Sequence, residues 1–191
     1  MLESGTFITL VKDCDALLIP TAVPISIPSG TNVQVTQARG GSVTVVAGGN
    51  LARIDSDNLD ALGISAEDIK DPILPARHAK NKIASGPVDV DAVWAILRTC
   101  FDPEIPVNIV DLGLIYECIS TAKENGKKNL IEIKMTLTAP ACAMGPVIVE
   151  DIEKKVLTLD NATDIAVELV FDPPWSREMM SDAAKLELGL L

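Results

Sequence analysis

Cys142 stands where a strand hands over to a helix, and few other residues of this chain are as well placed to do chemistry. The local run is Met135-Thr-Leu-Thr-Ala-Pro-Ala-Cys142-Ala-Met-Gly-Pro146. Ahead of it, Ile131, Ile133, Met135 and Leu137 alternate with Glu132, Lys134, Thr136 and Thr138, the period of a strand with one buried face. Behind it, Ile148, Ile152 and Val156 recur every fourth residue, the stripe of an amphipathic helix. Pro146 suits the first helical turn, where its missing N–H costs nothing. A cysteine just before that turn faces free backbone N–H groups and the positive end of a helix. Such a setting lowers a thiol pKa and favours the thiolate, the form that binds soft metals or attacks electrophiles. The other reading is a small apolar residue in a loop.

The remaining chemistry-bearing residues narrow the choice. Cys14, Cys100 and Cys118 are widely spaced, with no Cys-x-x-Cys, so neither a disulfide framework nor a zinc ribbon is indicated. Cys100 closes a helical stripe with Val93 and Leu97, and Cys118 lies in a strand-like run; both read as core. Cys14 sits between Asp13 and Asp15, whose charges would raise its pKa. The sole histidine, His78, falls in a polar connector. A Ser-His-Asp or Cys-His site would have to use it, and there is no Gly-x-Ser-x-Gly elbow. Trp175 follows the chain-breaking pair Pro173-Pro174. It is a candidate interface anchor, with packing back onto a sheet edge as the alternative.

The elements that must position these residues form two groups. Residues 6–54 read as β: the runs Phe7–Val11, Asn32–Gln37 and Ser42–Val46 are separated by Gly and Pro signals, and Arg39-Gly40-Gly41 suggests a hairpin. A small barrel or sandwich is expected there. Residues 55–86 are a connector with a short helical piece over Asp57–Leu62, ended by Gly63, which puts the domains at 1–83 and 84–191. In the second part Val90, Val93, Leu97 and Phe101 give a helix stripe, and Asp102-Pro103-Glu104-Ile105-Pro106 ends it. A strand over Leu112–Ser120 turns at Asn125-Gly126 into a strand over 130–138. Then come a helix over 146–158, a strand through Ile165, Val167, Leu169 and Phe171, and a last helix capped by Ser176 with Met179, Ala183 and Leu186 on one face. The fold class is therefore α+β, in the order α-β-β-α-β-α, preceded by a small β-rich domain.

Composition excludes some function classes. The net charge is −11, spread along the chain: residues 1–80 hold 6 basic against 9 acidic residues, and residues 81–191 hold 10 against 18. No basic stripe offers a footprint for nucleic acid, and the acidic balance disfavours anionic membranes. No signal-peptide pattern or apolar run of transmembrane length is visible, so a cytoplasmic protein is expected. No dinucleotide or phosphate-loop glycine pattern occurs.

Three motifs in order carry a resemblance. They are Asp-Pro-Glu-Ile-Pro at 102–106, Asp-Leu-Gly-Leu-Ile-Tyr at 111–116 and Met-Thr-Leu-Thr-x-Pro-x-Cys at 135–142. From about 88 to 171 the chain resembles the PaaD-like family of metal–sulfur cluster biosynthesis proteins, a two-layer sandwich. The β-rich extension, Ile19-Pro20, Asn50-Leu-Ala-Arg-Ile54 and the run Phe171-Asp-Pro-Pro-Trp-Ser-Arg-Glu-Met-Met180 resemble the SufT branch of that family. The resemblance implies an accessory factor in iron–sulfur cluster assembly and maturation rather than a turnover enzyme. Its partners would be the assembly machinery and apo client proteins. It places Asp102, Glu104, Asp111, Thr136 and Thr138 around Cys142. Ala141 and Ala143 flank the cysteine where many relatives carry Pro or Gly.

Thiolates hold iron in biological clusters, so residue chemistry and resemblance meet at Cys142. One cysteine per chain falls short of four ligands. A transient cluster would be shared between two chains of a homo-oligomer or completed by other ligands. Asp102 and Glu104 are then oxygen ligands or groups that tune the thiol, against the reading that Asp before Pro is turn chemistry. Thr136 and Thr138 either line the Cys142 pocket or face solvent on one strand face. Two rival functions remain at this point: an assembly subunit dedicated to one oxygenase system, and a thiol enzyme with Cys142 as nucleophile. A plain scaffold with an inert Cys142 is a third.

Overall fold

A computed structural model describes residues 2–65, 68–69, 88–123, 128–140 and 142–190. The boundary expected at 83/84, His78, the Asn125-Gly126 turn and Ala141 lie outside the described residues. The chain divides into two compact units: Met1–Pro72 with Pro103–Pro106, and Ile73–Asp102 with Val107–Leu191.

The first unit is built on one antiparallel six-stranded sheet. Its strands are β1 (Phe7–Thr9), β2 (Cys14–Leu18), β3 (Pro24–Ile27), β4 (Asn32–Arg39), β5 (Ser42–Ala47) and β6 (Asn50–Ile54), in the order β1-β4-β5-β6-β2-β3. The β4–β5 hairpin turns at Gly40 and Gly41, with φ of 61° and 78°, values that glycine adopts without a Cβ clash. Val33, Val35, Val43, Val45, Ala52 and Ile54 are wholly buried and form the inner face, closed by Leu59, Ala61 and Leu62 of a 3-10 segment over Ser56–Leu62. Strands β2, β3 and β6 go beyond the three β runs expected from sequence. Cys14 is buried in β2, and its thiol pKa is raised first by burial and then by the Asp15 charge.

The second unit places helices against a three-stranded sheet. Helix α1 (Val90–Leu97) starts at Asp89, whose side chain accepts from the Asp91 N–H at 3.0 Å. It ends before the sequence stripe predicts: Phe101 lies past the helix, in an isolated antiparallel bridge with Asn108. Strand β7 (Ile115–Lys123) pairs antiparallel with β8 (Lys128–Met135). Helix α2 (Gly145–Val156) then crosses to β9 (Asp164–Leu169), which runs parallel to β8. A parallel pair needs such a long connection. Asn129, Ile131, Ile133 and Met135 of the central strand β8 are buried, as are Val93 and Leu97 of α1 and Ile148, Ile152 and Val156 of α2.

The last helix departs from the sequence reading. Ser176 makes no side-chain cap; it precedes a 3-10 turn over Arg177–Met179. Helix α3 (Asp182–Glu187) is capped by Ser181, whose hydroxyl accepts from the Ala184 N–H at 3.1 Å. Ala184 is buried, whereas Leu186 is exposed.

Candidate functional site

The site grows from the loop between α1 and β7. Asn108 is buried and its carbonyl oxygen accepts from the backbone N–H groups of Val110 (3.1 Å) and Asp111 (2.9 Å). Its amide nitrogen donates to an Asp111 carboxylate oxygen. This closed turn explains why β7 begins at Ile115 and not at Leu112. Gly113, at φ 73°, completes the bend.

Backbone pairing joins the second motif to the third. The antiparallel Phe101–Asn108 bridge closes the loop between α1 and the second motif, and Asp102, the residue after Phe101, is buried. The Thr136 N–H donates to the Leu114 carbonyl at 2.8 Å, joining the second motif to the third. Leu137 then meets the start of α2: a Cβ on Gly145 would stand 2.7 Å from Leu137 Cδ1, so a larger residue there would make the Leu137 side chain shift.

Strand β8 stops at Met135, and alternation stops with it. Thr136 is buried alongside Met135 and Leu137, which corrects the expectation that Thr136 and Thr138 share a face opposite those two. The Thr136 hydroxyl has no hydrogen-bond partner among the described residues, and Thr138 is half-buried. Cys142 is half-buried. Its N–H donates to the Ala139 carbonyl (3.1 Å) and its carbonyl accepts from the Gly145 N–H (3.1 Å). It therefore lies in the turn that leads into α2, with Pro in the first helical turn. Its Sγ makes no hydrogen bond among the described residues.

The other cysteines are poor ligands. Cys100 is fully buried, as expected; Cys118 is not a core residue but half-buried like Cys142, and partial desolvation pushes its thiol up to about 11. Glu104 is exposed and is grouped with the first unit, whereas Asp102 is grouped with the second. Among the described residues, no three His, Cys, Asp or Glu side chains converge as a metal cage.

Trp175 is turned inward on its own chain. Its indole N–H donates to the Leu112 carbonyl at 2.8 Å, Tyr116 Oη donates to the Pro173 carbonyl at 2.8 Å, and the Ser181 N–H donates to the Asp111 carbonyl at 2.9 Å. The segment after β9 thus straps the 111–116 motif. Asn108 and Ser181 were missed by sequence reading. The Asn-x-x-Asp spacing of 108–111 was the available signal for the first, and Ser181-Asp182 ahead of Ala183-Ala184 for the second.

A family described as "Iron-sulfur cluster assembly protein" matches residues 90–169. A Fe-S protein maturation auxiliary factor of Porphyromonas gingivalis is 44% identical over 96 residues, which is 50% of this chain and 87% of that protein. The chain belongs to the iron–sulfur cluster assembly protein family. The Fe-S protein maturation auxiliary factor YitW of Bacillus subtilis is 37% identical, over 51% of this chain and 91% of its own length. The Fe-S protein maturation auxiliary factor SufT of Staphylococcus aureus is 36% identical, over 47% and 96%. The matched family segment holds all three motifs, Cys142 included.

Proposed function

We propose that this chain is an iron–sulfur cluster maturation factor, with Cys142 as the thiolate that takes the cluster as cargo. The observation that carries the reading is the position of Cys142. It is a half-buried thiol in the turn into α2, at the end of a motif that lies inside the family-matched segment 90–169. The three named relatives are maturation factors, which supports an accessory role rather than turnover catalysis.

The ligand count supports a carrier. With a single one of the four thiols, Cys142, in the turn into α2, and no three-residue cage among the described residues, most cluster sites are left to other ligands. A second Cys142 across a two-fold axis, or thiols of the assembly machinery and apo clients, would complete the set. Incomplete ligation makes cargo easy to give away. Asp102 and Asp111 flank the path from the first motif to the second and would supply oxygen ligands or hold the thiol loop. Thr136 offers an unpartnered hydroxyl at the end of β8. Glu104, on an exposed loop, suits contact with a partner better than cargo. We read residues 84–191 as the PaaD-like two-layer sandwich and 1–83 as an appended β-rich domain. No described helix is long and apolar enough to cross a membrane, and we place the protein in the cytoplasm.

The test is anaerobic reconstitution with iron and sulfide on wild type and Cys142→Ser, followed by transfer to an apo-ferredoxin. Wild type should take up an air-labile cluster and pass it on. An unchanged Cys142→Ser protein would defeat the reading.

A further inference from the structure

We infer that Asn108 is a positioning residue that holds the Asp111 carboxylate in place for cargo transfer, an inference that rests on the maturation reading above. Asn108 lies seven per cent exposed at the base of the second motif. Every hydrogen bond of its carboxamide stays within four residues of chain. Its oxygen accepts the Val110 and Asp111 N–H groups at 3.1 and 2.9 Å, and its nitrogen donates to Asp111 Oδ2. Two N–H groups facing one atom fix that atom as oxygen, so the donor to Asp111 is the NH2 group.

The residue type separates two roles. Closing the turn needs only an acceptor, and aspartate serves such turns as well as asparagine. Directing a carboxylate needs a donor, and aspartate has none at neutral pH. Asparagine meets both needs at once. With Oδ2 committed to Asn108, the other Asp111 oxygen has no partner among the described residues and is left for a ligand. The Asp111 carbonyl is tied separately, by the Ser181 N–H at 2.9 Å. Both ends of the residue are thus fixed. Loss of a group that orients a ligand costs roughly 10- to 100-fold in affinity or activity.

The experiment uses the full chain in four variants: Asn108→Asp, Asp111→Asn, the exchanged pair carrying both substitutions, and Cys142→Ser. Three quantities are read: melting temperature, the side-chain and backbone amide signals of residues 108–111 in the apo protein by NMR, and the rate of cluster transfer to an apo-ferredoxin. Asn108→Asp should keep the Val110 and Asp111 amide signals in a closed turn and slow transfer about tenfold. Asp111→Asn should slow transfer as much and shift the Asn108 side-chain NH2 signal. The exchanged pair restores one donor and one acceptor with the carboxylate moved to 108, so it should recover the melting temperature and not the transfer rate. This last outcome ties transfer to a carboxylate at 111 and not to the closed turn, even if Asn108→Asp fails to fold. Wild-type transfer by a folded Asn108→Asp protein, or recovery of transfer in the exchanged pair, overturns the inference. If Cys142→Ser also transfers normally, the maturation reading fails instead.

Discussion

Met179 crosses Gly113 so closely that a Cβ on residue 113 would stand 2.3 Å from the Met179 carbonyl oxygen. Gly113 also sits at φ 73°, a conformation that side chains with a Cβ rarely adopt. One missing methyl group thus lets the segment after β9 lie across the second motif, where Trp175, Tyr116 and Ser181 fasten it.

Gly113→Ala should therefore do two things. The backbone strain alone costs about 1–3 kcal/mol, and the overlap must push Met179 away. We expect a lower midpoint in urea and faster proteolysis within residues 172–181. An alanine variant with wild-type stability and an intact tail would show that the crossing is not as tight as described.

Trp175→Phe keeps an aromatic ring and removes the N–H. The Leu112 carbonyl then loses its partner, at a cost of about 1–2 kcal/mol. Urea denaturation should register that loss. If Trp175 acts mainly as an anchor for a partner, stability should stay put while binding to the assembly machinery falls.

The sequence patterns were strongest where burial follows a period. The Ile131–Met135 alternation and the Ile148–Val156 stripe mark β8 and α2, and with them the turn that holds Cys142. They misled where a local cap competes with the period. Phe101 continues the α1 stripe on paper, yet its chain has left the helix to bridge Asn108. Thr136 continues the β8 alternation on paper, yet its N–H reaches back to Leu114 and its side chain turns inward. Strands β2 and β3 are five and four residues long, and β3 opens with Pro24, so neither shows a clean alternation. Asn108 gave little sign in sequence because its partners are backbone groups and one nearby carboxylate.

The four thiols should separate by reactivity. Cys14 and Cys100 are fully buried, and burial holds Cys118 near 11, so that roughly one Cys118 in a thousand is ionised at pH 8. Cys142 should alkylate first in the native protein, read by mass spectrometry over time. Labelling of Cys100 ahead of Cys142 would contradict the burial pattern, and labelling of Cys118, half-buried like Cys142, would contradict its raised pKa.

Cys118 also predicts a pH dependence. Its folded pKa, about 11, lies above that of an unfolded thiol, so the native state holds the proton more tightly. The contribution is complete below the unfolded value and is lost as pH rises toward 11. Cys118→Ala removes it. Melting temperatures from pH 8 to 11 should therefore fall more steeply for wild type than for the variant, and parallel curves would count against the assignment.

Residues 84–191 should fold without the first domain. The Porphyromonas, Bacillus and Staphylococcus relatives are covered over 87%, 91% and 96% of their length by about half of this chain. Proteins that short must bury their core with the elements of one such unit. Here α1, α2 and the β7–β9 sheet supply a continuous buried set of their own, from Val93 and Leu97 through Ile131 and Ile133 to Ile148 and Ile152. A fragment of residues 84–191 should be soluble, melt cooperatively and keep Cys142 as its fastest-labelling thiol. A molten fragment that regains a cooperative melt when residues 1–83 are added would mean that the two parts share a folding core.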